Sequence, residues 1–220
     1  MTIIKNIVIF VLGLTLFSCG NQQLDASKDL EERDSSNNTS KESSQEKDNS
    51  TENKSPLQVE VDNALRNESI DNYYKDIYNK ERLVSSDDNK MLSITDSLFT
   101  DNPKTDVFYF IVFTKSMNGS DGFYSEALGE SSFNFVTKNT ETFVDYFNVA
   151  PKLTEKDMDN WAKYILGEIK ITREGDEEKA IQELENILFN NIARKRKEYR
   201  PIIESLIEKI KNLDNKPHNG

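Results

Sequence analysis

Hydrophobic residues are distributed along the chain in three regimes. Ile7 to Phe17 is almost uninterruptedly apolar, residues 20–56 have only Leu24, Ala26 and Leu30 as apolar side chains, and from about Leu57 apolar residues return at three- and four-residue spacing. That last spacing is the mark of one-sided helices. Ile70, Tyr73, Tyr74 and Ile77 form one stripe, and Met91, Leu92, Ile94 and Leu98 a second. The clearest is Ile181, Leu184, Leu188 and Ile192, preceded by Gly175 as a breaker and Asp176 as an N-cap. Thr154 and Asp157 have the spacing of a capping box and predict a helix carrying Trp161, Ile165 and Ile169. Pro201 suits the first turn of a last helix with Ile203, Leu206, Ile207 and Ile210 on its apolar side.

Two stretches are ambiguous. Val107 to Phe113 is apolar throughout, and Ser132-Phe133-Asn134-Phe135 alternates as a strand would. Periodicity alone does not separate a buried strand from a buried helix. Helix is favoured because Gly119 to Gly122 makes a turn, after which Phe123, Tyr124, Leu128 and Phe135, then Phe143, Val144 and Phe147, keep a helical rhythm. The expected fold is all-α, a compact or solenoid-like array of six to nine short helices. The alternative is α+β, with strands near residues 107–114, 131–137 and 167–172.

The first regime changes the picture of where the chain resides. Lys5 followed by an apolar run too short for a permanent membrane span reads as a secretory signal. It ends in Leu16-Phe17-Ser18-Cys19-Gly20, which resembles the lipobox of bacterial lipoproteins: an apolar residue three before the cysteine and a small one just before it. Phe17 stands where that family usually has a small residue. The resemblance implies cleavage before Cys19 and lipid on that cysteine, hence membrane attachment that asks nothing of the folded domain. Gly20 in place of an Asp retention signal points to the outer membrane, on its periplasmic face or at the cell surface. Four segments are expected: residues 1–18 as signal peptide, 19–56 as lipidated cysteine and disordered acidic tether, 57–213 as helical domain and 214–220 as a frayed tail. A tether of that length spans roughly 30–35 Å, enough to hold the domain clear of lipid head groups.

Composition removes several chemistries. Cys19 is the only cysteine, so no internal disulfide forms, and once lipidated it leaves neither Cys–His catalysis nor a Cys/His zinc site. The only histidine, His218, lies in the Pro/Asn/Gly tail, away from any expected core. No glycine-rich phosphate loop is present. No cofactor or metal is expected, and with a net charge of −11 no nucleic-acid partner. Two polar candidates remain. Asp121 and Glu126, in Asn118-Gly119-Ser120-Asp121-Gly122-Phe123-Tyr124-Ser125-Glu126, are close enough in sequence to share a metal or a proton, although the alternating ligands of an EF-hand are missing. On the plainer reading, Ser120 or Asp121 caps the next helix and Glu126 is a first-turn charge. Arg194, Lys195, Arg196 and Lys197, with Arg200, could receive an anion or an acidic partner, or simply be the cations preferred at the C-terminal end of a helix over 177–198.

The paired helices and the Lys138–Phe143 junction resemble the irregular hairpins of HEAT-like solenoids, a likeness that implies only a surface suited to binding. Two functions follow as expectations. The first is a membrane-anchored domain that binds an envelope or secreted protein. The alternative is an envelope hydrolase working with carboxylates alone.

Overall fold

The computed structural model describes residues 54–150, 152–192 and 197–215. The expected signal peptide, Cys19, nearly all of the tether, Arg194, Lys195, Arg196 and all but the first two residues of the tail lie outside them. Among the described residues the fold is all-α, with no strand. Nine helices follow in order: α1 Pro56–Arg66, α2 Asn72–Lys80, α3 Asp88–Ser97, α4 Asp106–Ser116, α5 Gly122–Lys138, α6 Thr140–Val149, α7 Glu155–Thr172, α8 Glu177–Asn191 and α9 Arg200–Asp214. A short 3-10 turn, Lys197–Tyr199, leads into α9. None of these helices is long and apolar enough to cross a membrane.

All three stretches held open as strands are helical. Val107 to Phe113 lies in α4, residues 131–137 lie in α5, and 167–172 end α7. The unbroken apolar run of α4 has a packing reason. From Val107 to Ser116 every residue of this helix is buried except the half-buried Tyr109, so there is no solvent face to carry polar residues. A helix apolar on all sides belongs in the middle of a core. Helices α1, α2, α3 and α7 all pack on it.

Polar side chains set several helix starts. Ser55 accepts from the backbone N–H of Gln58 at 3.2 Å ahead of α1, and Asp71, Asp87 and Asp121 accept likewise from Tyr73, Lys90 and Tyr124. Asp176 occupies the N-cap position of α8, but its side chain makes no capping hydrogen bond. Ahead of α7, Asp157 Oδ2 accepts from the Thr154 backbone N–H at 2.8 Å and from the Thr154 hydroxyl at 2.7 Å, the reach-back of a capping box. Pro201 stands in the first turn of α9, where its missing N–H costs no helical hydrogen bond.

The densest part of the core is aromatic. Phe110 of α4 stacks on Trp161 of α7 at 5.3 Å between centroids, with Phe143 meeting the indole edge-on at 5.0 Å. Phe135, Tyr146 and Phe147 complete the cluster around Phe110. The indole N–H is satisfied by Thr114 Oγ1 at 2.9 Å, as a buried tryptophan requires. Helices α5 and α7 run antiparallel: Phe135 lies beside Trp161, while Gly129 lies against Tyr164 and Glu168. The stripes of α8 and α9 pack against each other and against α7, with Leu184, Leu188, Leu206 and Ile210 almost fully enclosed.

Candidate functional site

At the C-terminal end of α4 the apolar run gives way to Thr114-Lys115-Ser116, all three fully or nearly fully buried. Burying an ammonium group is tolerated only when it is paired and hydrogen-bonded. Lys115 Nζ lies 2.9 Å from Asp157 Oδ2 and 3.3 Å from Glu81 Oε2, and the lysine and aspartate side chains are only 2% and 1% exposed. Asp157 thus serves twice, closing the start of α7 and neutralising the lysine of α4.

Glu81 closes this site from the solvent side. It follows α2 in a left-handed conformation at φ 54°, and Lys152, at φ 68°, faces it from the α6–α7 connection. Such backbone is strained for residues with a Cβ. It turns the Glu81 carboxylate between two lysines: Oε1 meets Lys152 Nζ at 3.5 Å while Oε2 meets Lys115. Lys152 also lies over the Tyr78 ring, 4.5 Å from its centroid, and donates to the Tyr78 carbonyl at 3.3 Å. Burial alone would raise the Glu81 pKa, but the two lysines outweigh it and hold the carboxyl below its usual range. Around this centre, Asn118 Nδ2 donates to the Glu81 carbonyl and Asn160 donates to Asn118 Oδ1. The Ser116 and Tyr124 hydroxyls pair at 2.7 Å, and those of Ser120 and Tyr164 pair beside them. Desolvation pushes the Tyr124 phenol far above its usual range. The network ties α2, α4, α5 and α7 together, and its charges answer one another.

The residues singled out in the sequence are not brought together. Asp121 is the N-cap of α5, its Oδ1 accepting from Tyr124 N at 3.1 Å, and no hydrogen bond or shared partner joins it to Glu126. Among the described residues no group of three or more metal-ligating side chains could hold a metal ion. Glu126 instead lines a shallow groove between α5 and α7 with Gly129, Lys163, Tyr164, Gly167, Glu168 and Ile171. The helix expected over 177–198 ends before the basic run, of which Arg194, Lys195 and Arg196 lie outside the described residues. Helix α8 stops at Asn191, because Ile192 adopts extended backbone and Asn191 Nδ2 is drawn off to the Thr137 carbonyl at 2.7 Å and Thr140 Oγ1 at 3.0 Å. Lys197 is exposed in the 3-10 turn, and Arg200 lies 4.6 Å over the Phe189 ring and 3.2 Å from Glu204.

Sequence reasoning did not find the Lys115–Asp157 pair. One signal was available, a lysine just past the longest apolar run of the domain, but the partner is 42 residues away and already accounted for as a helix-capping residue. Compared with family models, curated proteins and solved structures, the chain matches none.

Proposed function

We propose that this chain is a bacterial envelope lipoprotein, lipidated on Cys19, whose helical domain binds an envelope or secreted protein. The observation that carries the reading is the ordered set Lys5, the apolar run to Phe17, Leu16-Phe17-Ser18-Cys19 and the polar stretch of residues 20–56. Two or more acyl chains on one cysteine anchor a protein stably. The polar stretch then acts as a tether, and Gly20 after the cysteine favours the outer membrane.

The arrangement of ionisable groups favours binding over catalysis. Lys115 and Asp157 are sealed in the core and spent on each other, so neither is free to exchange a proton with a substrate. The exposed apolar side chains Phe123 and Ile171 supply the kind of contact that a recognition surface uses. Intact-mass and N-terminal peptide mass spectrometry of the membrane-extracted protein tests the anchor: the mature chain starts at a diacylated Cys19, and Cys19→Ala leaves an uncut precursor. A mature N-terminus elsewhere, or one without lipid, overturns the localisation. For the binding role, a photo-crosslinker at Ile171 in living cells forms a discrete protein adduct that one at the exposed Glu208 does not. Equal labelling from both positions counts against it.

A further inference from the structure

We infer that the groove between α5 and α7 is the partner-binding site and that it takes a cationic side chain, arginine in preference to lysine, from a basic segment of the bound protein. This deepens the reading of the domain as an interaction module and rests on it.

The groove is open to solvent and offers about 190 Å³, room for a single long side chain. Gly129 of α5 and Gly167 of α7 both line it. At Gly129 the Tyr164 carbonyl lies 3.3 Å from where a Cβ would stand, so α5 and α7 approach closely there, whereas a Cβ at Gly167 would meet nothing within 4 Å. Ile171, 67% exposed, forms an apolar wall. An aliphatic stem fits such a lining, because it removes apolar area from water on both sides of the contact.

The rim is acidic and unanswered. Glu126 of α5 and Glu168 of α7 stand on opposite walls, with Glu130 one turn further along α5. None of these three carboxylates makes an ion pair or accepts a hydrogen bond from another described residue. Asp159 and Glu155, by contrast, both reach Lys209. Glu168 reaches over α5, with Oε2 3.5 Å from the Cβ position of Gly129. Burial raises its pKa, and repulsion from Glu130 raises it further. The opposite charge of an incoming cation favours the ionised carboxylate and so works against both. The one lysine lining the groove, Lys163, forms no ion pair with these acids, and its Nζ lies 5.2 Å from the Tyr164 ring centroid. No group of three or more side chains able to hold a metal ion occurs here among the described residues. A guanidinium presents five donors in a fixed fork and can serve carboxylates on both walls. Phe123, half exposed in the first turn of α5, lies at the same end of this antiparallel pair as Ile171 and offers contact area beside the groove.

The test uses the full chain in detergent micelles, methyl-labelled at isoleucine, and follows the Ile171 resonance by NMR. The probe is a blocked pentapeptide, Gly-Ser-Arg-Ser-Gly, with lysine and norleucine versions of its central residue as comparisons. The expected result is a saturable shift of Ile171 with the arginine peptide, weaker with lysine and absent with norleucine. Glu126→Gln and Glu168→Gln should each weaken the binding about tenfold, the loss of one charge-assisted contact, with circular dichroism unchanged. Equal shifts with norleucine, no saturation, or unaltered affinity in both variants overturns the assignment. So does a shift that depends on protein concentration without peptide, which would make a second copy the occupant. Failure here leaves the lipid anchor at Cys19 untouched, since that is read separately by mass.

Discussion

Lys115 shows how a single residue can be structural and costly together. Its ammonium group is buried with Asp157 at 2.9 Å and is joined by Glu81 at 3.3 Å, and an ion pair removed from water gains little unless every donor and acceptor is used. Removing one partner should therefore hurt far more than removing both. Lys115→Met leaves a buried carboxylate and is expected to cost about 3–5 kcal/mol in urea denaturation. Adding Asp157→Asn removes the stranded charge while the amide oxygen still accepts from the Thr154 N–H, so the double variant should recover a substantial part of that loss. A double variant no more stable than Lys115→Met would mean that Asp157 matters to the fold through its cap alone. None of this was legible from local sequence. Thr154 and Asp157 were readable as a helix start because the capping spacing is local, whereas the lysine's partner is fixed only when α4 meets α7.

Among the elements, legibility followed exposure. Helices α8 and α9 and the buried face of α7 announced themselves because each keeps a wet face, which writes a 3.6-residue rhythm into the sequence. Helix α4 has no such face, so periodicity alone does not separate strand from helix in its run from Val107 to Phe113, and helix is favoured there only by the turn and the helical rhythm that follow. The capping aspartates were in reach of local reasoning, and the true end of α8, short of residue 198, was not, because the Asn191 side chain bonds α5 and α6 and Ile192 turns extended. The α5–α7 pair carries its own prediction. Both contain a glycine, and helical glycine costs about 1 kcal/mol against alanine, yet the two positions differ in the space around them. Gly167→Ala meets nothing within 4 Å and is expected to raise stability by about 0.5–1 kcal/mol. Gly129→Val should lower it, because its side chain would press on the Tyr164 carbonyl and on Glu168 and force the helices apart. Thermal melts of the two variants should move in opposite directions; a gain for both would show that the contact at Gly129 yields easily.

For the molecule as a whole, the net charge of −11 makes the placement of carboxylates decisive for its response to pH. Two of them are set in opposite senses. Desolvation raises the Glu81 pKa, but Lys115 and Lys152 overcome this and lower it. Between its folded and unfolded values the unfolded chain binds more protons, so stability climbs with pH. The contribution is complete above the usual carboxylate range and is lost as pH falls through the depressed folded pKa. Glu168 is the reverse: burial raises its pKa first and Glu130 adds to it. There the folded chain binds more protons, and stability declines as pH rises through the raised value. At neutral pH Glu81→Gln should therefore lower the urea midpoint, and the deficit should shrink in strong acid where wild-type Glu81 is itself protonated. Glu168→Gln should raise the midpoint at neutral pH and converge on wild type once the medium is acid enough to protonate Glu168. Both effects are modest, since both groups keep contact with water. Urea midpoints from about pH 3 to pH 8 would separate the two curves. If Glu168→Gln brings no gain at neutral pH, the carboxylate is already relieved in the free protein, and the groove between α5 and α7 loses the electrostatic strain that draws a cation into it.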